Sequence, residues 1–384
     1  MRLVLSGYYG FRNSGDEAVL FSILKALGEA GEDQGVTITP VVLSADPAWT
    51  SEQYGVESVP RMKPAAVWQA LRSSDGLISG GGSLLQDATG LGSIPYYLGI
   101  MKMARWCGKP VFVYAQGIGP VNRAIFRGPI ARACRKAAYV SVRDEQSAAL
   151  LQRFGVPQTH IDVVPDPVMG LSMAPGIAET WRANQPAAAT DINKSNHDIV
   201  GASAACGSPL VGVSVRFWRA DRADLDRVAQ ALNALVSLRP VRLRFLPLHR
   251  GADEEAARYV LRQLAPASVA ELAPAHAEPQ AMLREVGQCQ LLLGMRLHSL
   301  IYAANREVPL LGLSYDPKID HFLARLGLTA IGSTEALEPN IFAKQAVSIL
   351  DNPDAWLASV HPAIDRLKQE VRRPAQQIVS KSRM

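Results

Sequence analysis

Short apolar runs recur along the first half of the chain, at residues 3–6, 37–43, 76–79, 111–116, 139–142 and 161–164. Between them lie amphipathic stretches. The clearest spans 17–30, where Val19, Leu20, Ile23, Leu24 and Leu27 repeat at i, i+3, i+4 spacing. Buried strands separated by helices predict βαβ units and a mostly parallel sheet. The pattern fades after Pro175. Residues 184–209 are rich in Ala, Ser, Asn, Gly and Asp and follow neither period, so they read as a linker. Strand-like runs resume at 210–215, 241–247, 290–293 and 308–313, again with helical stretches between.

The organisation that follows has four parts. Residues 1–175 form an N-terminal Rossmann-like domain, 176–209 a linker or insertion, 210–352 a second Rossmann-like domain, and 353–384 a helical tail. The expected fold class is α/β, with two Rossmann-like domains facing a central cleft in a GT-B-like arrangement. In open parallel sheets ligands lie beyond the carboxyl ends of the strands, so the chemistry belongs in the turns that follow them.

Composition narrows the function. The 384 residues include 48% hydrophobic and 20% charged side chains, ample for two packed cores. Lys plus Arg exceeds Asp plus Glu by 40 to 35, and no continuous cationic run is present, so nucleic acid is not the expected partner. The four cysteines, Cys107, Cys134, Cys206 and Cys289, form no C-x-x-C pair. This disfavours a zinc ribbon or a disulfide framework and favours a reducing compartment. Nothing reaches the ~18 apolar residues of a membrane span, and the first strand is too short for a signal peptide. The expectation is a cytoplasmic protein.

The turns carry the candidate chemistry. After the first strand comes Gly7-Tyr8-Tyr9-Gly10-Phe11-Arg12-Asn13-Ser14-Gly15-Asp16-Glu17. Ser14 and Glu17 have capping-box spacing, which predicts a helix start near Gly15. Aromatic faces here suit the apolar face of a sugar ring. Asp16 is either an acid matched to the helix dipole or an acceptor and base for a sugar hydroxyl. The run Ser79-Gly80-Gly81-Gly82-Ser83 lets a ligand approach backbone closely. It is neither G-x-G-x-x-G nor a Walker A loop, so nicotinamide and ATP-cleaving functions lose support and no cofactor is expected. Gln116-Gly117-Ile118-Gly119-Pro120 is a second permissive turn. Arg143, at the next strand end, either pairs with Asp144 or Glu145 on the surface or faces the cleft.

In the second half, Arg216 ends a strand and precedes Phe217 and Trp218. Its planar fork matches phosphate or carboxylate. Gly294-Met295-Arg296-Leu297-His298-Ser299 places Arg296 and His298 at a helix start, and Lys318 follows Ser314-Tyr315-Asp316-Pro317. Lys318 is either a cleft cation or a surface lysine. Arg216, His298 and Lys318, with two helix N-termini, suit a small polyanion. No H-E-x-x-H or cysteine cluster implies a metal, and Asp224-Leu225-Asp226 falls in a solvent-facing helical pattern.

Taken together, Gly7–Phe11 with Asn13 to Glu17, Ser79 through Asp87, Ala115-Gln116-Gly117-Ile118-Gly119-Pro120, Gly294-Met295-Arg296-Leu297-His298 and Ser314-Tyr315-Asp316-Pro317-Lys318 resemble the polysaccharide pyruvyl transferase family, CsaB type. The resemblance covers nearly the whole chain except 184–209. It implies transfer of an enolpyruvyl group from phosphoenolpyruvate to a hexose, forming a 4,6-pyruvate ketal on N-acetylmannosamine of a lipid-linked cell-wall intermediate. In those terms His298 is the acid and Asp16 the base. Arg216, Lys318 and Arg296 hold the donor, while Tyr8, Asn13, Gly81, Gly82 and Arg143 hold the acceptor. The rivals are a GT-B glycosyltransferase using a nucleotide sugar and a non-catalytic anion- or glycan-binding protein. The basic tail, with Lys381 and Arg383, is either solvated or in peripheral contact with the inner membrane surface. Oligomeric state is left open.

Overall fold

Every strand among the described residues runs parallel to its neighbours, in two separate sheets. The structure is a computed structural model, and it describes residues 1–88, 90–172 and 207–382. The chain divides into two units, Met1–Gly170 with Arg366–Met384 and Leu171–Asp365. Most of the expected linker 176–209, up to residue 206, lies outside the described residues.

The first unit alternates β1 (Arg2–Ser6), α1 (Ser14–Asp33), β2 (Thr39–Ser44), α2 (Pro47–Tyr54), β3 (Glu57–Pro60), α3 (Pro64–Arg72), β4 (Gly76–Gly80), α4 (Ser93–Trp106), β5 (Val111–Gln116), α5 (Ala124–Arg135), β6 (Tyr139–Val142), α6 (Glu145–Arg153) and β7 (Asp162–Val163). Its sheet order is β3-β2-β1-β4-β5-β6-β7. Val4, Leu77, Val111, Val113 and Val140 line one face and are fully buried beneath α3 to α6. They explain why these strands read as continuous apolar runs.

The second unit contains β8 (Leu210–Ser214), α7 (Ala223–Leu238), β9 (Arg242–Phe245), α8 (Ala252–Leu261), β10 (Val269–Leu272), α9 (Pro279–Gly287), β11 (Leu291–Gly294), α10 (Leu297–Asn305), β12 (Leu310–Ser314), α11 (Pro317–Arg325), β13 (Gly332–Ser333), α12 (Pro339–Asp351) and α13 (Pro353–Glu370). The order is β10-β9-β8-β11-β12-β13. In both sheets the order of strand addition therefore reverses once, between β1 and β4 and between β8 and β11. That is the switch point at which open α/β sheets bind ligands.

The tail expected from Pro353 onward is divided. Residues through Asp365 group with the second unit, while the chain from Arg366 groups with the first. There α14 (Arg373–Lys381) buries Ala375, Ile378 and Val379, and Arg373 pairs with Asp162 at 2.7 Å. The helix packs through this one face while Lys381 on it is exposed; Arg383 lies outside the described residues.

Candidate active site

At the first switch point the turn after β1 is built around a buried carboxyl. Glu17 accepts the N–H groups of Gly10 and Arg12 at 3.0 and 3.1 Å and the Tyr54 hydroxyl at 2.8 Å. Burial pushes its pKa up, and these hydrogen bonds oppose the shift. The predicted capping box is not made. Asn13 is the N-cap, accepting the Gly15 N–H at 3.0 Å, so helix α1 starts at Ser14 and Glu17 serves the turn instead. Asn13, expected on the acceptor, is occupied in the fold.

Tyr9 is buried and donates to the Gly80 carbonyl at 2.8 Å, tying the β1 turn to the β4 turn. Tyr8 points the other way, 42% exposed, and stacks on Phe11, 41% exposed, at 3.9 Å between ring centres and 8° between planes. Behind this pair stands Arg61, which the sequence reading missed. Its guanidinium lies 5.2 Å from the Phe11 ring and 4.5 Å from the Tyr96 ring, and donates to the Gly7 carbonyl at 3.0 Å. Burial and the nearby Asp16 carboxylate raise the Tyr8 pKa, against Arg61; burial pushes Tyr97 to about 12. Both phenols therefore stay protonated at neutral pH, and the Tyr97 hydroxyl accepts from Arg61 Nη2 at 3.4 Å. The only sequence cue for Arg61 was its place just after a strand too short to recognise.

Gly81 and Gly82 both have positive φ, at 65° and 69°. A Cβ at Gly81 would collide with Val19, so this glycine lets the turn pack closely on α1. Gly82 is different: its Cβ position lies 3.3 Å from Asp16 Oδ1, which brings Asp16 and the open backbone of the glycine turn together. Arg143, expected on the acceptor, is 7% exposed. It binds Asp166 at 3.1 Å and the Ser83 hydroxyl at 2.8 Å, with Asp144 3.8 Å away, and so ties the strand ends together.

In the second unit, the ends of β8 and β12 meet on one aromatic ring. Arg216 donates to the Tyr315 hydroxyl at 2.9 Å and lies 5.0 Å from that ring and 5.5 Å from Trp218. Lys318 Nζ lies 5.6 Å from the same ring and 2.9 Å from Asp316. Strand β11 runs between β8 and β12. His298 follows it as the second residue of α10, half-buried at the helix N-terminus. Arg216 and Lys318 are thus brought together, from the turns that follow the two strands flanking β11.

Arg296, expected on the donor, is held by a buried carboxylate. It forks onto Asp253, Nε at 3.0 Å to one oxygen and Nη2 to the other. Asp253, 1% exposed, also accepts the N–H groups of Leu248 and His249 at 3.2 and 2.9 Å. The pair binds the loop after β9 to the turn that carries His298. Asp253 has no motif signature, since its partner lies 43 residues away. Asp224, expected to face solvent, is buried in the first turn of α7, and Asp226 accepts from Tyr259 and Gln263. No group of three or more His, Cys, Asp or Glu side chains suited to a metal occurs among the described residues. Burial raises the Cys134 and Cys289 thiols to about 12, which makes neither a nucleophile at neutral pH.

Residues 13–317 match the family described as polysaccharide pyruvyl transferase. No curated protein matches the chain. Among solved structures, it is similar to UDP-GlcNAc 2-epimerase from Neisseria meningitidis bound to UDP-GlcNAc, at 11% identity and TM-score 0.65 over 99% of both chains. It is also similar to Anabaena Alr3699/HepE in complex with UDP and glucose, at 14% identity and TM-score 0.59 over 99% of this chain and 98% of the other. The S. aureus MnaA-UDP structure has 10% identity and TM-score 0.60, over 98% and 94% of the two chains. At such identities the likeness is one of fold, two Rossmann-like domains of GT-B type.

Proposed function

Because the chain belongs to the polysaccharide pyruvyl transferase family, we propose that it transfers an enolpyruvyl group from phosphoenolpyruvate to a hexose and closes a 4,6-pyruvate ketal. The acceptor in this reading is N-acetylmannosamine of a lipid-linked cell-wall intermediate, the CsaB-type reaction, carried out in the cytoplasm. The observation that carries it is the sharing of Tyr315 by Arg216 and Lys318, which follow the strands either side of β11, the strand that leads to His298.

The donor is a trianion with one carboxylate and one phosphate. Arg216 and Lys318 supply two cations and α10 supplies N–H groups at its start, enough to hold it by charge-assisted hydrogen bonds. The enol C2 becomes electrophilic only when the methylene carbon takes a proton, and His298 provides it. One sugar hydroxyl then adds to C2, its proton passing to Asp16. The C2–O bond to phosphate breaks, with the departing charge held by Arg216 and Lys318. The second hydroxyl closes the ketal. Of the two hydroxyl protons, one balances that taken up by the methyl group and the other leaves on phosphate. Tyr8 and Phe11 offer a flat apolar face to the hexose, and Gly82 leaves room for its hydroxyls beside Asp16.

The test compares phosphoenolpyruvate with UDP- and GDP-sugars by thermal shift, and follows acceptor-dependent phosphate release with mass spectrometry of the product. We expect stabilisation by phosphoenolpyruvate alone and a mass gain of one pyruvate less water. Replacing His298 by Gln lowers turnover by ~10²–10⁴ while the donor shift persists. Stabilisation by a nucleotide sugar, with none by phosphoenolpyruvate, overturns the reading.

A further inference from the structure

The chain is nearly balanced in charge, but its balance is uneven. Residues 88–143 carry nine Lys and Arg and no Asp or Glu, whereas the other 31 cations are outnumbered by 35 acids. The nine are spaced out, so no continuous cationic run marks them in the sequence. The fold gathers several of them. Lys102, Arg105 and Trp106 on α4 face Pro129, Arg132 and Lys136 on and just after α5, at i, i+3 and i, i+4 intervals, around an open groove of about 420 Å³.

Among the described residues no carboxylate is paired with Lys102, Arg105, Arg132 or Lys136. Lys102, Trp106, Arg132 and Lys136 are exposed, and Lys102 Nζ lies 4.7 Å over the Trp106 ring. Two large apolar side chains stand out on the same two helices, Trp106 at 65% and Ile125 at 75% exposure. The face does not serve the packing of the unit, whose buried residues lie on the opposite sides of α4 and α5.

We propose that the α4–α5 face docks this protein on an anionic lipid bilayer, with lipid phosphates in the Lys102–Arg132–Lys136 groove and Trp106 and Ile125 in the headgroup layer. Charge complementarity selects a polyanion. The exposed indole and isoleucyl side chains select a bilayer, because an indole ring settles at the membrane–water boundary while its lysine and arginine neighbours hold headgroups. Helix α4 begins just after the glycine turn of the candidate site, where the Ser93 hydroxyl donates to the Leu84 carbonyl at 2.6 Å. The proposal stands on the charge and exposure of this face and not on the reaction read at that site.

The test is co-sedimentation of the full chain with phosphatidylcholine vesicles, with and without phosphatidylglycerol, at low and high salt. Each cation held at an anionic leaflet strengthens binding roughly fivefold. We expect pelleting with anionic vesicles only, weakened by salt, and about a hundredfold weaker in the triple variant K102Q/R132Q/K136Q. Separately, Trp106→Ala weakens binding and removes quenching by brominated lipid. All four side chains are exposed, so matched thermal midpoints verify that the variants fold. Unchanged pelleting of the triple variant, equal binding to neutral vesicles, or preference for single-stranded RNA in competition each overturns the proposal. Phosphate release with a water-soluble acceptor, assayed alongside, reports on the pyruvyl-transfer reading independently.

Discussion

Arginine positions in this protein show how a single functional type is sorted by its surroundings. Arg216 keeps its fork beside an aromatic ring and a lysine, whereas Arg143 and Arg296 are consumed by buried carboxylates. A buried pair is costly to break, because the surviving partner is left charged without compensation. Asp253→Ala should therefore lower stability by about 3–5 kcal/mol, read by chemical denaturation. Lys318→Ala, at a side chain 30% exposed, should change stability by less than about 0.5 kcal/mol. In the proposed reaction it should instead raise the KM for phosphoenolpyruvate. Comparable destabilisation by both substitutions would contradict the division drawn between them.

At the scale of elements, the turns after the strands are held by hydrogen bonds that run to the next helix rather than within the turn. Glu17 is the example. It is the fourth residue of α1, yet its carboxylate organises residues 10–12 and Tyr54 on α2. Its folded pKa lies above the ordinary 4.5. The native state thus holds this proton more tightly than the unfolded chain, and the resulting stabilisation is complete below that value. It is lost as pH rises through the folded pKa. The Glu17→Gln variant lacks this dependence. The difference in thermal midpoint, wild type minus variant, should fall from pH 4 toward neutrality; a difference that rises would refute the burial argument.

For the whole molecule, two sheets of the same winding order carry their candidate residues at equivalent places, just beyond the switch points. The chain end closes the first unit. Ile378 is fully buried on α14, which lies against α1. Ile378→Ala should cost about 2–5 kcal/mol, with hydrogen exchange accelerated in α1 and the central strands of the first unit. Uniform exchange changes in the second unit would argue against that assignment. The basic α4–α5 face belongs to the same scale, since cations spread over 56 residues form a surface only when two helices align.

The buried centre of each sheet was legible from sequence because strands covered on both faces must be mostly apolar, and β1, β4, β5, β6, β8 and β11 are, each with at most one or two polar residues. The short edge strands β3 and β10 were not, since the exposed Glu57 and Glu271 and the half-buried Ser58 break any run. Sequence also determined which turns could carry chemistry, for glycine runs and strand-end cations need no tertiary context to be noticed. It could not decide which of those cations stay available. That depends on carboxylates such as Asp166 and Asp253, 23 and 43 residues away; nor could sequence show that Arg61, just beyond the edge strand β3, reaches the turn after β1. Periodicity reports what a segment buries; it carries no record of which distant charge neutralises it, and packing alone makes that choice.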